Sequence, residues 1–425
     1  MRSGGKPAPE SRIPSGSKEV AKTLDKQRVE PLLRLDACLP RKHQRRAAHP
    51  QHAPKRMAVS VPESRGSDSE VPAPGAAAGK VPETAGRVTV LELPRGFSEP
   101  PEQAFVLKDA LHLAMLPVFA AVAWSCSDSL CLRLARTVTR LLRRLQPGRY
   151  RDYDGIFRDF HPATSRSDAG DDRSVEAAAL QHLERLQLLR YHRPGSWQPR
   201  IEVAGKDNLE RALAQGKGAI LWVTSAIFSD TISKAALCAQ GYKVWHLSRH
   251  SHGHFSTTRF GIRFLNPIRL AVECRYLAAR VVIDPAESKA AMARLEQLLG
   301  DNHVVSITVD FTARRATLAP FGPGRLPLAG GAPNLAAKSG AALLPVFTER
   351  RSDGSFLVTI EPSLEAPPEF SHERKIAHMI ASEAALLYRH FVRLPTQFLY
   401  PRLHYGRRLC EALAAGQVDA RPPTL

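Results

Sequence analysis

Cysteine is scarce and unpatterned in this chain. Its six cysteines (Cys38, Cys126, Cys131, Cys238, Cys274 and Cys410) show no CxxC or Cys/His spacing, which argues against a zinc finger or a disulfide framework and points to a reducing setting. Aromatic residues make up only 7% of the chain, and the first 57 residues contain no Phe, Tyr or Trp. That segment therefore lacks the stacking groups of a nucleic-acid binder, and no helix-turn-helix, zinc or RNA-binding motif appears elsewhere. The N-terminus has no apolar h-region, so no secretory signal is read there. The apolar run Leu113–Ala123, LAMLPVFAAVA, is too short to span a bilayer by itself. No internal repeat is visible.

What is present is a large apolar complement and an excess of positive charge. Of 425 residues, 43% are hydrophobic, enough for one large or two smaller cores. The net charge is +19, and residues 1–57 alone hold fourteen Lys/Arg against five Asp/Glu. Segments such as PRKHQRRAAHPQHAPKR carry little apolar material, so residues 1–95 read as a disordered basic, Pro-rich tail. It has the charge to meet anionic lipid or nucleic acid nonspecifically. A start at Met57 would remove its most basic part without loss of a folded element.

After the tail, residues 96–150 read as a membrane-associated helical segment. In Leu130–Gln146, Arg133, Arg136, Arg140, Arg143 and Arg144 recur at helical spacing between Leu134, Val138, Leu141, Leu142 and Leu145. Such a helix can lie in the headgroup plane, or it can pack its leucines on a core and turn its arginines to water. Pro147 and Gly148 end it. Residues 151–410 form the main domain and 411–425 a C-terminal tail. A helical stretch reaches about Leu189, after which strand and helix patterns alternate. Strands are expected at Ala219–Val223, Lys243–Leu247, Val281–Ile283, His303–Val309, Leu343–Thr348 and Phe356–Ile360, with helices near Asp230–Ala239, Ala286–Leu299, Pro333–Ser339 and His372–Phe391. This order predicts an α/β fold with a central mixed sheet flanked by helices.

One segment has the form of a site. In Gly218–Asp230, GAILWVTSAIFSD, a buried strand runs into a tight loop and Asp230 opens the next helix. The arrangement resembles the bacterial lysophospholipid acyltransferase family that includes the late lipid A acyltransferases. There a His-x4-Asp/Glu motif occupies this place, and Ser225 stands here where the histidine would be. Leu335–Val346 matches that family's Leu-Ala-x-Lys-x-Gly-Ala-x-x-x-Pro-Val run. Asp310, the pair Phe321-Gly322, and Gln397, Tyr400, His404 and Arg408 in the closing segment fall near further landmarks, so the resemblance covers most of Leu107–Arg408.

The resemblance implies a glycerolipid acyltransferase-like fold on the cytoplasmic face of a bacterial inner membrane. It implies transfer of a fatty acyl group from acyl carrier protein or coenzyme A to a hydroxyl of a lipid or glycolipid, with no cofactor. Catalytic positions fall to Ser225, Asp230 and Asp310, and an Arg toward the donor phosphates or acyl carbonyl falls to Arg263. Asp310 equally suits a cap for the turn Phe311–Ala313, and Arg314 beside it adds charge to the same rim or is solvated. Gly331, with Asn334 in the first turn of the following helix, could present backbone N–H groups to a phosphate or oxyanion, or form only a tight turn.

A serine hydroxyl cannot act as the general base of acyl transfer. The segment VWHLSRHSHGHF supplies His246, His250, His252 and His254, with His250 taken as the replacement base. An exposed polar loop and a metal site built from the alternating histidines are the competing readings. A homologue that binds lipid or carrier protein without turnover is the alternative to an enzyme.

Overall fold

The computed structural model describes residues 89–92, 103–161, 170–193, 197–253, 255–283, 288–309, 315–398, 400–415 and 419–421. The reading of residues 1–95 as disordered lies almost wholly outside this set, as do Asp310, Arg314 and His254.

A seven-stranded mixed sheet organises the chain. In chain order its strands are β2 (Ile201–Ala204), β3 (Ala219–Val223), β4 (Val244–Arg249), β5 (Ala279–Ile283), β6 (Val304–Thr308), β9 (Ala342–Arg350) and β10 (Phe356–Ile360). They lie in the spatial order β2-β10-β9-β3-β6-β4-β5. All neighbours are parallel except β9 and β10. Central β3 pairs with β6 and β9 in parallel, Leu221 lying level with Ser306 and Leu344. Every residue of β3 is buried, which is why its sequence, AILWV, is unbroken hydrophobic rather than alternating. Ile220 and Trp222 enter one core with Val305, Leu343 and Phe321. Ala219, Leu221 and Val223 enter another with Leu344, Val358 and Phe228. The period-2 geometry of a strand thus divides one apolar run between two layers.

The second sheet is antiparallel, ordered β11-β1-β7-β8. Here β1 is Thr89–Glu92, β7 Arg315–Phe321, β8 Gly324–Ala329 and β11 Asp419–Arg421. β7 and β8 form a hairpin closing at Phe321↔Gly324. Gly322 in its turn has φ +58 and lies against Tyr388, whose ring a Cβ would overlap. The Phe-Gly pair is therefore a packing requirement of the turn. This hairpin was not foreseen from the sequence, because Pro320 and Pro327 interrupt the strand pattern.

The N-terminal helices are α1 (Leu107–Ser125), α2 (Asp128–Leu145), α3 (Pro147–Phe160) and α4 (Gly170–Arg190). α1 extends the apolar run at both ends and is long and apolar enough to cross a membrane by length and composition. Pro147 ends α2, as expected, and also starts α3, because its fixed φ and missing N–H suit a first helical position. Arg190 closes the α1–α2 turn: its guanidinium donates to the carbonyls of Ala123 (2.7 Å) and Cys126 and pairs with Asp128 at the start of α2.

In α2 the outward and inward faces are the reverse of an ordinary surface helix. Leu130, Leu134, Val138, Leu141 and Leu145 are exposed, whereas the small Cys131, Ala135 and Thr139 are buried. The outward spacing of four, four, three and four residues makes one continuous stripe at 3.6 residues per turn. Of the leucines read in sequence, Leu134, Leu141 and Leu145 face outward and Leu142 is half-buried, while Arg133, Arg140 and Arg144 are exposed as the packing alternative expected.

Helices α5 (Lys206–Ala214), α6 (Ser229–Ala239), α7 (Arg259–Phe264), α8 (Asn266–Glu273), α9 (Ser288–Gly300), α10 (Gly331–Ser339), α11 (His372–Arg393) and α12 (Tyr400–Ala414) complete the element order. α6, α9, α10 and the long α11 match the expected helices to within a few residues. The start expected for α9 at Ala286 lies outside the described residues.

Gly205, which precedes α5, has φ +72, and a Cβ there would lie 2.0 Å from the Ile360 carbonyl oxygen. Gly205→Ala should therefore lower stability by at least about 1–2 kcal/mol from the left-handed backbone alone, read as a fall in the urea midpoint. An unchanged midpoint would show that this junction is not packed as described.

Candidate functional site

A cavity of about 670 Å³ lies at the carboxyl edge of the main sheet, its wall including Trp222 of β3, His246 and Ser248 of β4, Ile283 of β5 and Thr308 of β6. In open α/β sheets this edge is where ligand crevices form. Other parts of its wall are Asp230 in the first turn of α6, Gly331 and Ala332 at the start of α10, Val106, Lys108 and Asp109 at the start of α1, and the loop after β4 with Ser251, His252 and Phe255.

Beside the cavity is a buried ionic cluster that joins three helices and a strand-end loop. Glu273, the last residue of α8, is fully buried. Its Oε2 accepts from Lys234 of α6 at 2.5 Å and makes a 2.9 Å hydrogen bond with His252 Nε2. Arg269, one turn earlier in α8, lies 4.0 Å from Glu273 Oε1 and 3.0 Å from Glu184 of α4. Burial alone would penalise the Glu273 charge, but Lys234 and His252 outweigh it and hold the carboxyl far below the ordinary range. Burial likewise opposes the Arg269 charge, and Glu184, Glu273 and Asp230 keep it on.

His246 and His252 play different parts. His246 is almost completely buried, with Nδ1 3.2 Å from Ser306 Oγ, and its ring lies 5.7 Å from that of His252. Burial, reinforced by Lys234 and His252, pushes the His246 pKa well below its usual value. It stays neutral and is a weak base. His252 is held by Glu273 through Nε2, a carboxylate–imidazole contact that orients the ring.

The expected site residues separate. Asp230 and Gly331 line the cavity. Ser225 is buried, 6% exposed, in the loop after β3, but among the described residues the cavity wall does not include it. Its neighbour Ala226 forms a β-bridge with Phe398, and Ile227 N–H donates to the Gln397 carbonyl at 2.8 Å, so the loop is tied to the segment following α11. His250 is exposed on the turn after β4. Arg263 is exposed on α7, its guanidinium 5.7 Å from the Phe264 ring centroid. Asn334 makes a 2.9 Å hydrogen bond with His372 Nε2 on α11 and is not part of the cavity wall.

Sequence reasoning named neither Lys234 nor Glu273. The signal for Lys234 was there: it lies four residues after Asp230 and is the one cation in the otherwise neutral stretch that follows, TISKAALCA.

No protein-family model and no curated protein matches this chain.

The functional reading therefore rests on geometry. As a metal centre, His246, His252 and Glu273 offer ligand atoms all within 4.8 Å of one another. This is a different set from the alternating histidines expected in sequence. Lys234 already sits on Glu273 Oε2 and Arg269 flanks Oε1, so two fixed cations oppose a third. The donor set fits a divalent ion poorly and fits a compensated acid–base pair well.

The burial of neutral His246 makes stability depend on pH. In the unfolded chain the imidazole takes a proton below about pH 6.5, whereas in the fold it does not. The unfolded state binds more protons, so stability is full above that pH and falls as pH drops below it, by up to ~1.4 kcal/mol per unit. Urea titrations at pH 7.5, 6.0 and 5.0 should show this slope, reduced in His246→Asn. Equal slopes in the two proteins would mean that His246 charges freely in the fold.

Proposed function

We propose that the chain is a membrane-surface acyltransferase that moves a fatty acyl group from an acyl thioester, carried by acyl carrier protein or coenzyme A, to a hydroxyl of a lipid or glycolipid. The observation that carries this reading is the cavity itself. It combines a carboxylate-held imidazole, His252–Glu273, with the backbone start of α10 at Gly331 and Ala332. It also borders a set of outward apolar side chains.

Those side chains are Phe105, Leu107, Leu111 and Phe264, all exposed, with Leu107 83% accessible. Phe105 packs edge-on to Phe260 and Phe260 against Phe264. Val106, between Phe105 and Leu107, is part of the cavity wall. An acyl chain partitioning with these groups would bring its carboxyl end to the polar interior, which favours a lipid substrate over a water-soluble one.

In the proposed reaction the acceptor hydroxyl attacks the thioester carbonyl as His252 Nδ1 takes its proton. The carbonyl electron pair moves to oxygen, and the first-turn N–H groups of α10 face the resulting oxyanion. Collapse breaks the C–S bond, and the His252 imidazolium returns the proton to the departing thiolate. The products are an ester and a free thiol. Glu273 stabilises the transient imidazolium, while Lys234 and Arg269 keep Glu273 ionised. Asp230 adds negative charge at the same wall. In this scheme the base sits after β4 and not at Ser225.

The rival reading is a homologue that binds lipid or carrier protein without chemistry, favoured by Ser225 at the place where the resembling family has its histidine. Assays with acyl-coenzyme A and acyl carrier protein donors against lysolipid and glycolipid acceptors separate the two. The enzyme should form ester product, lose about 10²–10⁴-fold in rate in His252→Ala, assayed below that variant's lowered melting temperature because it leaves Glu273 less compensated, and stay near the native rate in Ser225→Ala. If the native protein forms no ester and Ser225→His gains activity, the non-catalytic reading holds. Equal rates for native and His252→Ala would place the base elsewhere.

A further inference from the structure

A second recess of about 450 Å³ lies at the α2–α3 junction, away from the sheet edge, lined by Arg140, Arg143, Arg144, Arg151, Asp154, Pro147 and Val175. Its charge is lopsided. Four arginines face one carboxylate, and Asp154 pairs with Arg143 at 3.2 Å. Arg140, Arg144 and Arg151 are exposed and have no carboxylate partner among the described residues. The fold itself draws these three together. Arg140 and Arg144 lie one turn apart in α2, and the Pro147 start of α3 brings Arg151 to the same recess. Like charges held around one hollow repel each other, and a multivalent oxyanion relieves that repulsion through bidentate guanidinium contacts.

The surroundings select the kind of anion. On α2, Leu141 and Leu145 lie beside these arginines and are exposed, Leu145 to 68%, in line with Leu130, Leu134 and Val138. Counted at 3.6 residues per turn, Arg133, Arg140 and Arg144 form their own stripe along one border of the leucine stripe. The face thus pairs a row of exposed apolar side chains with a row of exposed guanidinium groups, the order in which a bilayer presents its acyl and phosphate layers. A free soluble phosphate has no use for the leucines.

We propose that the Arg140–Arg144–Arg151 recess is a binding site for the phosphate of an anionic membrane phospholipid, distinct from the cavity at the sheet edge. It orients α2 in the interface by holding a headgroup at one end of the apolar stripe. The proposal does not depend on acyl transfer, since a lipid-binding homologue without turnover would use the same recess.

The test is vesicle co-sedimentation of the full chain with phosphatidylcholine alone and with phosphatidylcholine containing phosphatidylglycerol. Three proteins are compared: native, Arg140→Gln/Arg144→Gln/Arg151→Gln, and a charge-matched control, Arg211→Gln/Arg294→Gln/Arg374→Gln. Because all three keep residues 1–57, the basic tail contributes equally. The recess variant should bind anionic vesicles at least about tenfold more weakly than native. The control should remain close to native, and binding to the zwitterionic vesicles should be alike in all three. Equal loss in both variants would reduce the effect to net charge and overturn the site, as would no loss in the recess variant. A calorimetric arm with inorganic phosphate alone tests the source. Submillimolar phosphate binding abolished by the recess substitutions would assign the site to a soluble anion and overturn the lipid assignment. The melting temperature of each variant, expected to match native, shows that binding differences do not arise from unfolding.

Discussion

The buried charge on Glu273 is the constraint around which the site is organised. A carboxylate with no exposed surface is expensive unless it is surrounded by donors. Here those donors come from separate parts of the chain: Lys234 from α6, His252 from the loop after β4, and Arg269 from the preceding turn of α8. Lys234 and Arg269 have in turn been drawn out of water by the same packing. Glu184 on α4 completes the compensation by taking the other side of Arg269. The cluster therefore fixes where four elements meet at the sheet edge, and His252 cannot leave its place without exposing an uncompensated charge. Rigidity of the imidazole follows from electrostatics rather than from close apolar packing.

That arrangement also sorts the two histidines by chemistry. Lys234 and burial together deny His246 a proton, whereas His252 has a carboxylate, Glu273, against its ring. Two imidazoles whose ring centres are 5.7 Å apart thus sit in different surroundings, one closed in and held neutral, the other against a carboxylate at the cavity wall. Environments that push neighbouring titratable groups apart are the usual basis for assigning acid–base roles.

The sheet was readable from sequence where strands are long, apolar and flanked by turns. Ala219–Val223 and Phe356–Ile360 have the expected boundaries, and β4, β5, β6 and β9 differ by a few residues at their ends. The hairpin of β7 and β8 was hidden by its prolines. β1 and β11 were hidden by their brevity, and by a partnership that joins residues more than three hundred apart, which no local pattern encodes. In the site, Asp230 and Gly331 were legible because each opens a helix at a strand-to-helix turn. The place of His252 among four candidate histidines was not, because it is decided by Glu273, twenty-one residues further on. Leu130–Gln146 allowed two orientations of its leucines; only the tertiary contacts of Cys131, Ala135 and Thr139 choose between them.

The way α1 is attached has a further implication. Arg259 N–H donates to the Gln103 carbonyl at 3.0 Å and Phe260 N–H to that of Ala104 at 3.1 Å, while Thr258 Oγ1 donates to Asp109 at 2.7 Å. Two of these three links are main chain to main chain. They use only backbone groups at positions 103, 104, 259 and 260, so the join between α1 and α7 needs an N–H at 259 and 260 and is closed to proline there.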